Sequence, residues 1–201
     1  MTAVAATVLE TLENETGNGR IPGNQGIWVG ITCEFVEFLI LFAVYFIARA
    51  HFPEVFEQGG EKLSRLAGTV ITLLMVTSSF FIACSVATLR AGQHRASIGW
   101  LVAGLVMALG YPLAKYFEFQ WNLANGITGD SGIFFTVYYY LTLNHLVHAI
   151  WGILGILWVL ARHLAGAYSA EDYSGLEALA SYWHATDIIW LVIFSFFYVL
   201  V

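Results

Sequence analysis

Five stretches of this chain are too long and too apolar to be stable in water. They cover residues 26–48, 66–89, 98–119, 131–161 and 178–201, and a helix needs about 20 apolar residues to cross the hydrocarbon core of a bilayer. The second stretch contains no charged residue. The fourth is longer than one crossing requires, so it is expected to tilt or to project beyond the bilayer. The pattern predicts an all-α fold: a polytopic membrane helix bundle with five transmembrane helices.

Composition agrees. Apolar residues make up 59% of the 201 residues and charged residues 11%, against about 45–50% and about 25% in soluble domains. Glycine is abundant, which suits close helix packing in membranes. Residues 1–25 are polar and acidic, with no basic segment leading into an apolar core. They read as a polar N-terminal tail and not as a cleavable signal peptide. Residues 26–201 form one five-helix transmembrane domain. The net charge of -6 comes from scattered groups and leaves no nucleic-acid footprint. Cys33 and Cys84 lie in apolar runs and read as small buried hydrophobes. Arg20, Arg90, Arg95 and Arg162 fall on one side of the membrane, with Arg49, Lys62, Arg65 and, if it snorkels, Lys115 on the other. Charge alone therefore assigns no orientation.

The informative residues are those that do not belong in lipid, because ionisable groups within spans are costly and mark candidate sites. Glu34 and Glu37 lie in the first span, Lys115 and Glu118 in the third, His145 and His148 in the fourth, and His184 and Asp187 in the last. Each pair is spaced i, i+3 and shares a helix face. Several readings follow. A di-iron site would need Glu-x-x-His on two helices, which is absent. A haem could take His184 with His145 or His148. Glu34 and Glu37 could be proton-linked, since a carboxyl in a low dielectric can take up and release protons. The alternative is interhelical hydrogen bonding, with His184 donating to Asp187 and pinning its helix. Tyr138, Tyr139, Tyr140, Trp121, Trp183 and Trp190 read as packing and interface anchors. Ser78 and Ser79 can bond back to their own helix.

Two segments carry a resemblance. The fourth span reads Asn144-His145-Leu146-Val147-His148-Ala149-Ile150-Trp151-Gly152. The last reads Glu177 through Trp183-His184-Ala185-Thr186-Asp187-Ile188-Ile189-Trp190. Together they resemble the subunit III family of haem-copper oxidases, which carries His-x-x-His followed by Gly and a C-terminal Glu-x5-Trp-His-x-x-Asp-x-x-Trp. Glu34 falls where the family has an embedded Glu. Thr77-Ser78-Ser79 resembles its small-residue patch, and Tyr116-Phe117-Glu118 its Glu-Tyr-x-Glu region. The resemblance runs in order over residues 26–201. Departures are Leu143 in place of a usual Gly, Lys115 in place of a common carboxylate, Glu37 as an extra acid, and five helices where oxidase members have seven.

The resemblance implies a non-catalytic, subunit III-like accessory subunit of a bacterial respiratory complex, in the inner (cytoplasmic) membrane with its N-terminus in the cytoplasm. It implies no cofactor or metal in this chain, with haem and metal in a partner catalytic membrane subunit. It further implies contact with membrane phospholipid, a role in assembly and stability, and support of proton uptake. Glu177, Trp183, His184, Asp187, Trp190, His145 and His148 are then a structural polar motif. Five helices occur in quinol-oxidase subunit III and in the accessory protein of nitric oxide reductase. Arg20-Ile21-Pro22-Gly23 followed by Gly26-Ile27-Trp28-Val29 looks most like the nitric oxide reductase type, which would place the chain in denitrification. The alternatives are subunit III of a quinol or cytochrome c oxidase, and an independent membrane metal- or haem-binding protein.

Overall fold

Apolar runs of bilayer length become helices because lipid offers backbone amides no other partner. The structure, a computed structural model, describes residues 21–200. Residues 1–20 of the polar tail, Arg20 included, and Val201 lie outside the described residues. Six α-helices follow in order: α1 Gln25–His51, α2 Pro53–Glu61, α3 Arg65–Arg90, α4 His94–Ala124, α5 Ile133–Leu164 and α6 Ser174–Phe194, which runs on into a π-helical turn, Ser195–Val199. Five of these are long and apolar enough to span a membrane, and there is no strand among the described residues.

The ends are set by ordinary capping chemistry. The Asn24 side chain accepts from the Ile27 amide at 3.0 Å, and Ser64 from Ala67 at 3.3 Å, each satisfying an amide that the first turn leaves free. Gly132 has φ 134° and turns the chain into α5, a conformation that side chains rarely adopt. Pro112 lies inside α4 without ending it.

The helices differ from the sequence expectation at several ends, α4 for example running from His94 to Ala124 where 98–119 was expected, and one helix is added. The polar stretch after α1 contains a helix, α2, begun by Pro53 in the first turn, where a missing amide costs nothing. Phe56 of α2 is buried, edge-on to Tyr45 and to Phe134 at 5.4 and 5.3 Å. Gly59 lies so close to Phe134 that a Cβ would sit 2.3 Å from the ring. The last helix begins at Ser174, ahead of the expected 178, and so takes buried Glu177 into its first turn.

α3 and α4 form the most extensive helix pair, and α6 packs against α1, α3 and α5. Close approach of α3 and α4 is allowed by Gly104, which faces Ile82 and the Ser78 carbonyl. Ser78 donates across this interface to the Gly104 carbonyl at 2.8 Å, not back to its own helix as the sequence suggested. Trp183 and Trp190 of α6 are fully buried. Large apolar side chains such as Leu39, Leu73, Val147 and Trp158 face outward, the reverse of a water-soluble surface and suited to lipid.

Candidate functional site

The ionisable residues within the spans fall into separate clusters. The first is an open groove of about 440 Å³ between α1, α5 and α6, with Glu34, Glu37, His148, Trp151, Gly152 and Tyr182 among its walls. Glu34 is buried and Glu37 exposed. Thr186 Oγ1 donates to Glu34 Oε1 at 3.2 Å, and Glu34 Oε2 is buried without a partner. The Asn144 amide donates to Glu37 Oε1 at 2.8 Å, and His148 Nε2 lies 3.5 Å from Glu37 Oε2.

His145 belongs to a different cluster, in the core. Its Nε2 lies 3.0 Å from the Thr186 carbonyl and its Nδ1 2.9 Å from the Tyr111 hydroxyl. A carbonyl only accepts, so Nε2 carries the proton and Nδ1 takes the Tyr111 O–H. Both ring nitrogens are thereby occupied. His145 and His148 share a helix and both touch the Phe38 ring, yet their polar atoms serve different partners.

The third cluster is built around Lys115, which stays within the bundle and does not snorkel to the interface. Lys115 is fully buried. Its Nζ donates to Glu118 Oε2 at 2.7 Å and to the Tyr138 and Tyr198 hydroxyls, each at 3.3 Å. Tyr198 donates to Glu118 Oε1 at 2.5 Å. The π-helical turn at the end of α6 is what carries Tyr198 to this point. The ammonium also sits 5.1 Å from the Trp190 ring centre, a favourable cation–π distance.

The expected His184–Asp187 hydrogen bond is not formed among the described contacts. Asp187 Oδ1 is buried without a partner, and the Ser79 hydroxyl faces that carboxyl without closing a hydrogen bond. His184 lines a separate small pocket with Arg90 and Glu177. Trp183 is core, and Trp190 donates to Thr72 at 3.0 Å. Glu177 is paired with Arg90 and accepts from the Gly23 amide at 3.3 Å, tying α6 to α3 and to the segment just before α1. Among the described residues, no group of three or more His, Cys, Asp or Glu side chains is arranged to hold a metal ion.

Residues that sequence reasoning passed over include Tyr111, Thr186, Asn144 and Tyr198. Tyr111 stands four residues before Lys115, on the same helix face, which was the available signal. Tyr198 gave none, because its position depends on the π turn.

Five apolar helices enclosing buried, hydrogen-bonded polar groups define a polytopic membrane protein. No family model matches the chain. Relatives do. Cytochrome c oxidase subunit 3 of Synechocystis is 30% identical over 176 residues, 87% of this chain and 74% of that protein. A probable cytochrome c oxidase subunit 3 of Mycobacterium leprae is 28% identical over 178 residues, 86% of this chain and 85% of the relative. A haem-copper oxidase subunit I+III of Aeropyrum pernix is 24% identical over 180 residues, 87% of this chain and 22% of that longer protein. The chain belongs to the cytochrome c oxidase subunit III family of the haem-copper oxidases.

Proposed function

We propose that this chain is the non-catalytic third subunit of a bacterial haem-copper oxidase, packed in the cytoplasmic membrane against a catalytic subunit that carries the haem and copper. The observation that carries the reading is the match to subunit III over 87% of the chain. The Aeropyrum relative joins subunits I and III in one polypeptide, which supports side-by-side assembly here too. The occupancy of both His145 nitrogens within the bundle supports a fastening role for that histidine over haem ligation.

The relatives favour an oxidase over nitric oxide reductase, an association that rests on the short opening segment alone. Glu177, Trp183 and Trp190 act in this reading as fasteners of α6. Phospholipid covers the apolar outer face, the N-terminus is cytoplasmic, and Glu34 and Glu37 handle protons. Purification in mild detergent is the test. The expected result is co-purification with a larger haem- and copper-containing subunit. Isolation of this chain alone with its own haem absorbance would overturn the reading, and a copper-free haem partner would return it to the reductase type.

A further inference from the structure

The groove cluster has an incomplete set of hydrogen bonds, and the gaps say where protons can sit. His148 Nδ1 lies 3.1 Å from the Asn144 carbonyl. Nδ1 therefore carries a proton, and Nε2 of the neutral ring is a bare lone pair. That lone pair faces Glu37 Oε2 at 3.5 Å. Two lone pairs facing each other repel, so a further proton belongs to this pair, on the imidazole or on the carboxyl. Glu34 leaves Oε2 buried and unpartnered, which is costly for an ionised carboxylate. A proton on it, or an imidazolium beside it, removes that cost.

With no mobile proton bound, Glu34, Glu37 and His148 carry charges of −1, −1 and 0. Two protons make the set neutral, the state a low-dielectric site favours. Three positions then hold two protons, and one position is always vacant. A vacancy is what a proton needs in order to move.

The groove supplies access. It reaches from Ile27 and Gly175, in the first turns of α1 and α6, to Glu37, about 15 Å along α1 at 1.5 Å per residue. Inward, the route is closed. The Thr186 hydroxyl has one proton, shared between Glu34 Oε1 and the Tyr182 carbonyl of its own helix at 3.1 Å, and neither acceptor lies further inward. His145 is joined to Thr186 only through a backbone carbonyl. Carbonyls accept protons in hydrogen bonds but do not pass them on. Of the buried charges on neighbouring elements, Asp187 faces Ser79 of α3, and Lys115 sits against the Trp190 ring, which contacts His145 at 5.4 Å. The titratable groups meeting Glu34 are Glu37 on its own helix, His148 from α5 and Tyr182 from α6.

We propose that Glu34, Glu37 and His148 form a proton-exchange site that opens to the groove and is closed toward the interior of the bundle. A hydronium in the groove gives its proton to His148 Nε2 and leaves water. The ring passes it to a carboxylate oxygen and returns to neutrality. The complete site is built by α1, which carries Glu34 and Glu37, and α5, which carries His148. It deepens the proton-handling part of the proposed function, and its test needs no partner, so its failure would leave the accessory-subunit reading standing.

The test is infrared spectroscopy of the full chain in phospholipid vesicles, following the protonated-carboxyl C=O band after transfer from H₂O to D₂O. A band that Glu34→Gln abolishes is expected. Its deuterium shift should slow by about tenfold or more in His148→Gln, as loss of a positioned acid–base group does, and keep its wild-type rate in Tyr111→Phe. Glu37→Gln, at an exposed position, should slow the shift too and serves if His148→Gln does not fold. The proposal is overturned if no such band exists, if the band survives Glu34→Gln, if neither groove variant slows exchange, or if Tyr111→Phe slows it as much as His148→Gln.

Discussion

Two of the ionisable clusters within the spans, the one around Lys115 and the one in the groove, treat charge in opposite ways. Around Lys115 every polar valence is filled. The three ammonium protons meet Glu118 Oε2, Tyr138 and Tyr198. Tyr198 spends its proton on Glu118 Oε1, so the 3.1 Å contact between the tyrosines must be Tyr138 donating to Tyr198. In the groove the valences are left open: Glu34 Oε2 has no partner, and the His148–Glu37 contact is long at 3.5 Å. A saturated network rigidifies, because moving any member breaks bonds that no water can replace. An open one can change its protonation at little structural cost. The contrast between a filled network and an open one is geometric, and it is what motivates the proton-exchange proposal for the groove.

The largest expected effect comes from breaking the saturated site. Lys115→Met strands Glu118 as a buried carboxylate and should destabilise the bundle by about 3–5 kcal/mol. The loss is read as a lower melting temperature in detergent and a lower yield in membranes. Adding Glu118→Gln should restore most of it, since removing both charges removes the stranded one. If the double variant is no more stable than the single, the cost lies in lost packing and the contrast with the groove fails.

Glycines offer a smaller and sharper comparison. Gly68 backs the saturated site, and a Cβ there would lie 2.7 Å from the Tyr198 ring. Gly30 lines the groove with nothing within 4 Å of its Cβ position. Gly68→Ala should cost about 1–3 kcal/mol through overpacking. Gly30→Ala should be neutral or stabilising by up to about 1 kcal/mol, the helix-propensity gain. The same melting experiment checks both. Equal losses at the two positions would mean that the groove is as tightly filled as the Lys115 site.

Much of this was legible in the sequence, and the reason is physical. Bilayer thickness dictates span length, so five apolar runs gave five helices with shifted ends. Helix α2 was missed because nine residues with Glu54, Glu57 and Glu61 look like a loop until Phe134 is placed against Gly59. Ionisable residues in the spans identified Glu34, Glu37, His148, Lys115 and Glu118 as positions to examine. Their partners were not legible. Residues at i and i+3 stand about 60° apart around a helix, enough at a three-helix junction to send His145 into the core and His148 into the groove. For the same reason His184 and Asp187 do not pair. The fate of Lys115 turned on Tyr198, which comes from the far end of the chain.

The smallest effect concerns a third kind of carboxylate, one in water. Asp130 is exposed in the turn between α4 and α5. A hydrogen bond from the Thr128 hydroxyl holds its carboxyl below the usual value of 3.8. Its pKa is lower in the folded loop than in the unfolded chain. The stabilisation is therefore present above pH 3.8 and is lost as pH falls through the depressed value. Acid should loosen this turn alone, where Thr128 and Ser131 exchange hydrogen bonds. Amide hydrogen exchange at those two residues should accelerate on acidification beyond the intrinsic pH dependence, with no change in melting temperature. Asp130→Asn should abolish the excess. An equal acceleration in that variant would assign the acid response to another group. The turn would then no longer serve as the solvated reference against which the two membrane-embedded sites are compared.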